Sequence, residues 1–179
     1  MKKIFIPLLV FFVLTQTSFA QSTNAGWEKW QYMMGEWQGE GSGQPGEATG
    51  MFTLKPKLDG NILERKGRTS IAATNTHPAF LHEDVMIIYK NRDGNPSKAI
   101  YFDNESHVIQ YDITYDDHKI LLVSENIPGM PRFRLIYEKL DEKGLNIRFE
   151  MAMPNAPNDF KLYLEGKNKK VKELAEMPK

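Results

Sequence analysis

The sequence predicts an all-β protein, a single antiparallel up-and-down barrel of about ten strands with a short N-terminal helix. From about residue 35 onward, short runs of strand-forming residues recur between turn signals at hairpin spacing. Several of these runs alternate between apolar and polar residues, which is typical of a sheet with one buried face. No later segment has the length of the crossover helices that parallel strands need.

The first twenty residues have the features of a secretory signal peptide. Lys2 and Lys3 precede an apolar run over residues 4–14, and Ser18-Phe19-Ala20 provides a cleavage site with small residues. The apolar run is too short to span a bilayer comfortably, which argues against an anchor helix. We therefore expect a periplasmic or secreted protein that has no integral membrane segment after cleavage.

The composition excludes several classes of function. The 179 residues include 23 basic and 23 acidic residues and no cysteine. A nucleic-acid-binding domain normally carries a basic excess, so a nucleic-acid partner is not expected. An exported protein without disulfides must be stabilised by its core alone, and it has neither a thiol nucleophile nor a thiolate metal site.

The first elements follow from apolar spacing, glycines and turn residues. Apolar residues at 27, 30, 33 and 34 predict a short helix. Glycines on both sides of Trp37 allow a bent first strand over residues 35–43, whose indole plugs one end of the barrel. A second strand begins at residues 51–55, and Asp59-Gly60-Asn61 predicts a hairpin to a third strand over 62–71.

The second part of the chain begins with the longest predicted loop. Residues 72–83 contain few strand formers and include Pro78, so we expect an irregular segment that borders the mouth of the barrel. Seven further strands are predicted, over residues 84–90, 98–102, 107–115, 120–124, 132–140, 145–153 and 160–166. The resulting organisation is a signal peptide (1–20), a barrel (27–166) and a charged, frayed tail (167–179).

Alternation in three strands indicates an apolar interior. The side chains on the apolar face include Ile109, Tyr111, Ile113, Phe133, Leu135, Tyr137, Leu145, Ile147, Phe149 and Met151. A ten-strand barrel is wider than the eight-strand barrels whose side chains just fill the interior. We therefore favour a pocket lined by methionine and aromatic residues over a filled core, while noting that some ten-strand barrels line the cavity with polar groups.

Two segments carry a resemblance to a known family. Gly35-Glu36-Trp37-Gln38-Gly39-Glu40-Gly41 resembles the opening of calycin-superfamily barrels. With the hairpin Leu58-Asp59-Gly60-Asn61-Ile62-Leu63, it is similar to bacterial lipocalin-like domains of unknown function and, more distantly, to nitrobindin-type haem barrels and fatty-acid-binding barrels. The resemblance implies a lipocalin-like fold that holds a ligand. It also implies a late arginine across the tryptophan, here Arg134 or Arg148, contributing about 0.5–2 kcal/mol. Nitrobindin-type barrels bind haem through a late histidine, but this chain has none after His118.

The candidate ligand-binding residues are those expected to seal, line or charge the pocket. They are Trp37, Arg65, Tyr111, Arg134, Arg148, Phe149 and Met151. An inward-facing arginine would pair bidentately with a ligand carboxylate. His82 and His107 are candidate haem ligands or ligand anchors, and for His107 we favour a hydrogen-bonded core histidine over an axial ligand.

The sequence predicts neither a metal site nor a catalytic site. His77, His82, Glu83 and Asp84 share one segment, but their spacing fits no standard zinc pattern and favours a solvated loop. No Gly-x-Ser-x-Gly elbow supports a hydrolase. The favoured function is therefore an exported, non-enzymatic binding protein for a small hydrophobic or amphipathic ligand. The alternatives are a haem-binding barrel and a structural or interaction module with a filled core.

Overall fold

The computed structural model describes residues 26–41, 48–76 and 78–173, and it confirms a closed, all-antiparallel barrel of ten strands. A short 3-10 helix, Glu28–Met33, precedes the barrel. The strands, β1 to β10 in chain order, are Gly35–Gly39, Ala48–Lys57, Ile62–Ile71, Phe80–Lys90, Pro96–Asp103, Val108–Asp116, Lys119–Ser124, Arg132–Lys139, Gly144–Ala152 and Lys161–Lys172. The predicted signal peptide lies outside the described residues, as does His77.

Each strand pairs with the next one in sequence, and β1 closes the ring by pairing with β10. The helix and the turns after β2, β4, β6 and β8 lie at one end of the barrel, which we call the closed end. The C-terminal ends of β1, β3, β5, β7 and β9 lie at the other end, which we call the open end. No helix in the described part of the chain is long and apolar enough to cross a membrane.

Two tryptophans of the N-terminal segment cap the closed end. Trp27 and Trp30 are at most 1% exposed. Trp27 Nε1 donates to the Gly60 carbonyl at 2.6 Å, and Trp30 Nε1 donates to the Tyr115 hydroxyl at 2.8 Å. A buried indole N–H without an acceptor would be destabilising, so these bonds allow the large rings to be buried completely.

The last strand extends beyond the predicted limit of residue 166 and ends at Lys172. The short β1 pairs with this last part of β10, where Lys170 lies opposite Trp37. Lys170 Nζ is 5.1 Å from the centroid of the Trp37 ring. The expectation that Arg134 or Arg148 crosses this ring is therefore wrong, because the residues after 166 continue the strand that closes the barrel.

β4 begins at Phe80, inside the segment predicted to be irregular. The strand starts early because β3 continues to Ile71 and provides ladder partners: Ile71 pairs with Phe80, and Thr69 pairs with His82. His82 is therefore a strand residue on the inner face of the barrel and not part of a solvated loop.

Candidate ligand-binding site at the open end

Burial of the inner-face side chains decreases from the closed end to the open end. On β6, Ile113 and Tyr111 are 5% and 2% exposed, whereas Ile109 is half-buried. On β9, Leu145 is fully buried and Phe149 is half-buried. Side chains that point into a barrel meet solvent only through an opening, so the half of the interior nearer the open end is accessible.

An ion pair lies inside the barrel on the neighbouring strands β3 and β4. Arg65 Nη1 donates to Asp84 Oδ1, and the two side chains are 15% and 7% exposed. Gly67 faces Asp84 across the ladder, and a Cβ atom there would collide with the Asp84 carboxylate and with Arg65 Nη1. The missing side chain at Gly67 thus makes room for both charged groups. The guanidinium also lies over Phe52, 4.7 Å from the ring centroid.

The surroundings determine the protonation of these groups. Burial is the largest single influence on the pKa of Arg65 and lowers it, but Asp84, Tyr137 and Tyr101 together raise it by more, so the net pKa lies above its ordinary value. Burial is also the main reason why the pKa values of Tyr101, Tyr111 and Tyr137 are raised. At neutral pH the interior therefore holds a charged arginine beside three neutral phenols, each able to donate a hydrogen bond.

Two buried polar atoms beside this pair lack a hydrogen-bond partner among the described residues, Arg65 Nε and Tyr137 Oη. Tyr137 is fully buried on β8. A buried donor without an acceptor costs about 1–3 kcal/mol. The arginine nitrogen only donates and a phenol hydroxyl can donate, so an acceptor oxygen from a ligand or a water would satisfy both atoms.

A second polar cluster lies at the rim of the open end. His82 Nδ1 is 2.8 Å from Glu105 Oε1, and His82 Nε2 is 3.0 Å from the Tyr101 hydroxyl. That hydroxyl donates to Asp103 Oδ2 at 3.3 Å, and His107 Nδ1 lies 2.8 Å from the same oxygen. The His107 side chain is 58% exposed. Although it is hydrogen-bonded as expected, His107 is a rim residue and not the core histidine that the sequence predicted.

The opposite side of the open end is aromatic. Phe133 and Phe149 stack with their centroids 5.6 Å apart, and Tyr163 meets Phe149 edge-on at 6.0 Å. Met151 pairs with Phe133 across the β8–β9 ladder and shares its face. We call these four residues the aromatic wall.

The two walls face each other because of the strand order. We use the name polar wall for Arg65, His82, Asp84 and Tyr101, which lie on β3, β4 and β5. The aromatic wall lies on β8, β9 and β10. In the closed ring of ten, β4 and β9 are five positions apart in either direction. The mouth of the barrel therefore has one polar and one aromatic side.

Five of the seven predicted ligand-binding residues lie on the inner face, namely Arg65, Tyr111, Phe149, Met151 and Trp37. Trp37 belongs to the closed end, where it is 1% exposed, and its Nε1 donates to the Met33 carbonyl at 2.8 Å. It therefore seals the interior and does not line the accessible half.

Arg134 and Arg148 lie on the outer face of the barrel. Arg134 Nε is 2.5 Å from Glu150 Oε2, and Arg148 Nη2 is 3.5 Å from Glu150 Oε1. The Arg134 guanidinium also lies over Phe160, 4.5 Å from the ring centroid. Because both arginines point away from the interior, Arg65 is the only one of the three predicted arginines that points into the barrel.

A shallow groove of ≈ 650 Å³ crosses the outside of β2 to β5. Each strand contributes neighbouring residues to it, and Asn104 completes the lining, so backbone and outward-facing side chains form the groove. Met51 and Phe102, which are 57% and 41% exposed, lie beside Lys66 and Arg68. This surface is separate from the aromatic wall.

The sequence reasoning missed four residues of the candidate site, namely Gly67, Asp84 and Tyr101 toward the open end and Tyr137 deeper in the barrel, where its ring meets Trp30 edge-on. Gly67 carried a usable signal, because a glycine inside a strand pattern often marks a close approach of neighbouring groups. The other three become recognisable only once the register of β3, β4 and β5 and the position of β8 are known.

The fold and the mouth define a class of protein, a closed ten-strand antiparallel barrel consistent with the calycin type, sealed at one end and accessible at the other. Neither a protein-family model nor a curated protein matches this chain. The architecture therefore stands on its geometry, and the more specific likeness to lipocalins or nitrobindins rests on the two short segments named above.

Proposed function

We propose that this protein is an exported, non-enzymatic binding protein whose barrel holds a small amphipathic ligand at the open end. The observation that carries the proposal is the pair of opposed walls. An apolar ring or chain would pack on the aromatic wall, and a polar head would reach the unpaired donors of Arg65 and Tyr137. Apolar surfaces with a few convergent polar groups are typical of small-molecule sites.

The charge of the interior favours a neutral head group. Arg65 already pairs with Asp84, so the pair as a whole carries no net charge. A ligand carboxylate would bring a second negative charge close to Asp84 in a poorly solvated place. A carbonyl or hydroxyl oxygen accepts from Arg65 Nε and Tyr137 Oη without that repulsion. We therefore propose a neutral head group in place of the ligand carboxylate that the arginines led us to expect from the sequence.

A pair of fluorescent probes tests the proposal, a long-chain amide and the carboxylic acid of the same chain. We expect the amide to bind more tightly than the acid. Tyr137→Phe should weaken amide binding by about 2- to 10-fold, because one hydrogen bond contributes about 0.5–1.5 kcal/mol. Phe149→Ala should weaken both probes equally, since it removes part of the surface that packs on the chain.

Arg134→Met is the matched control, because it removes an arginine from the outer face while leaving the interior intact. It should bind both probes like the unmodified protein. Failure of the amide to bind, or equal binding by all the variants, would contradict a ligand site in the barrel.

The haem alternative stays a prediction. His82 and His107 both lie at the rim, where each has a carboxylate oxygen 2.8 Å from its Nδ1. An iron on His82 Nε2 would have to displace the Tyr101 hydroxyl, 3.0 Å away, and the His107 side chain is 58% exposed and would enclose a haem poorly. Titration with haemin should leave the Soret band at its free position; a shifted band that disappears in His82→Ala or His107→Ala would favour haem instead.

A second candidate function is an interaction module that uses the groove outside β2 to β5. The exposed side chains of Met51 and Phe102 favour it, because solvent-exposed apolar groups beside charges are common at protein contacts. Phe102→Ser should leave probe binding intact if the barrel interior is the functional site.

Export is part of the proposal and depends on residues 1–20. The intact mass of the protein from a bacterial host, compared between periplasmic and whole-cell fractions, tests cleavage after Ala20. An uncleaved chain in both fractions would contradict export.

A further inference from the structure

We propose that His82, Asp103 and Glu105 bind a divalent transition-metal ion of the zinc class at the rim of the open end. One ligand atom from each residue lies within 4.8 Å of the other two. The three residues come from two strands and a turn, His82 from β4, Asp103 from the end of β5 and Glu105 from the turn that follows. The proposal is independent of any ligand deeper in the barrel.

The atoms are close to the spacing that a metal requires. His82 Nδ1 and Glu105 Oε1 are 2.8 Å apart. Two ligand atoms on a tetrahedral zinc ion, each bonded at about 2.0–2.1 Å, lie roughly 3.3 Å apart. A shift of about half an ångström in this pair, with an approach of the Asp103 carboxylate from within 4.8 Å, would therefore admit the ion. Glu105 is exposed and can make this shift without disturbing the core.

The turn that carries the two carboxylates is held in place by bonds outside the three proposed ligand atoms. Asn104 accepts from the backbone N–H of Glu83 at 3.1 Å and donates from its amide to the Leu81 carbonyl at 2.8 Å. These contacts flank His82 on both sides. They fix the turn against the start of β4, so the ligands are brought together by the fold and not by attraction among themselves.

Tyr101 is placed to orient the histidine. Its hydroxyl lies 3.0 Å from His82 Nε2 and donates to Asp103 Oδ2 at 3.3 Å. With Nδ1 on the metal, Nε2 keeps its proton and donates to Tyr101, which is the arrangement that usually positions a metal-bound imidazole. His107 now contacts Asp103 Oδ2, and its exposed ring can turn into solvent when the metal takes that oxygen.

The donor set indicates the class of metal. One imidazole and two carboxylates suit zinc, manganese or ferrous iron better than calcium or magnesium, which prefer oxygen ligands alone. The two carboxylates balance the charge of a divalent ion. Three protein ligands leave a coordination position for water, as in zinc sites that are accessible to small molecules.

The test uses the untagged protein after removal of metals with a chelator, titrated with zinc by calorimetry and with cobalt(II) by visible absorption. We expect one equivalent of metal and cobalt d–d bands of a four- or five-coordinate site. His82→Ala and Glu105→Gln should each weaken zinc binding on the order of tenfold or more, and Tyr101→Phe, a positioning change, should weaken it less and shift the cobalt bands.

Two variants serve as controls. His118→Ala removes an exposed histidine from the closed end, and Glu83→Gln removes an exposed carboxylate beside His82 that points outward. Both should bind zinc like the parent, and circular dichroism should show that every variant is folded. Equal zinc binding by all five variants, or no binding below millimolar zinc, would overturn the proposal. Binding of the fluorescent amide is measured before and after chelator treatment to separate this site from the proposed ligand site. The chelator removes the metal only, so amide binding should not change.

Discussion

The three indoles at the closed end and several polar side chains inside the barrel are all buried, but their hydrogen-bonding groups are satisfied to different degrees. At the closed end, each tryptophan N–H has an acceptor, as for Trp27 with Gly60 and Trp30 with Tyr115. Inside the barrel, Arg65 Nε and Tyr137 Oη have no partner among the described residues, and neither has Tyr32 Oη of the N-terminal helix. Satisfied buried groups stabilise a fold, whereas unsatisfied donors cost stability and remain available to another molecule.

This difference separates groups that stabilise the fold from groups that are available to a ligand. The closed end supplies fully buried aromatic surface that every copy of the folded protein must retain. Toward the open end the aromatic rings are only half-buried, and Arg65 of the interior ion pair has a donor without an acceptor. Binding sites commonly sacrifice stability in this way.

Replacement of Trp30 by alanine should separate the two ends most clearly. Trp30 is 1% exposed, and removal of a fully buried aromatic side chain costs about 3–5 kcal/mol. Phe149→Ala at the open end should cost clearly less, because its ring is only half-buried. Urea unfolding followed by circular dichroism measures both. Equal losses would show that the open end is packed as tightly as the closed end.

Breaking the interior ion pair should come next. Arg65→Met leaves the Asp84 carboxylate buried without its partner, and such a change costs about 3 kcal/mol or more. The double variant Arg65→Met with Asp84→Leu should recover most of the loss, because two apolar side chains no longer leave a charge unpaired. Thermal unfolding of the two single variants and the double variant completes the cycle. No recovery in the double variant would mean that the pair itself stabilises the fold, beyond each charge merely neutralising the other.

Gly67→Ala should have an intermediate effect. Its Cβ would collide with the Asp84 carboxylate and push the ion pair away from the strand, and overpacking of this kind costs about 1–3 kcal/mol. Gly166→Ala on β10 is the matched control, since an added Cβ there meets nothing within 4 Å. The difference between the two melting temperatures is the measurement. A Gly67→Ala variant as stable as Gly166→Ala would show that the pair can move without cost.

The smallest effect is expected for Lys170→Met. Its ammonium lies 5.1 Å from the Trp37 ring, a partly exposed contact that contributes about 0.5–1 kcal/mol. Lys169→Met removes the exposed neighbouring lysine and should change stability less. Chemical unfolding of both variants at low and high salt tests this prediction. Equal effects would assign the contribution of Lys170 to general charge and not to the indole.

Much of the architecture could be predicted because it depends on local patterns. The alternation around Tyr111, Leu135 and Phe149 specifies one buried face, and the turn residues at Asp59-Gly60-Asn61 separate two strands. The bounds of β3 agree with the prediction. The end of β10 does not, because a run of lysines has no strand character by itself and becomes a strand by pairing with β1.

The site was less predictable because it depends on register between strands. Gly67 and Asp84 are far apart in sequence and come to face each other only when β3 and β4 pair at one particular offset. The same holds for His82 and Glu105, which meet across the β4–β5 hairpin. Alternation along a strand predicts that Arg65 points inward and Arg134 outward only once the inner face of each strand is known.

All three tryptophans of the chain, Trp27, Trp30 and Trp37, belong to the closed end. The intrinsic fluorescence of the protein therefore reports on one half of the molecule only. A guest that stays at the mouth should leave the emission maximum unshifted, whereas one whose head group reaches Tyr137, whose ring centroid is 6.4 Å from that of Trp30, should shift it. Loosening of the N-terminal segment should move the emission to longer wavelength. With a dansylated guest, the efficiency of energy transfer from the three clustered tryptophans would report how deeply the dansyl group lies in the barrel.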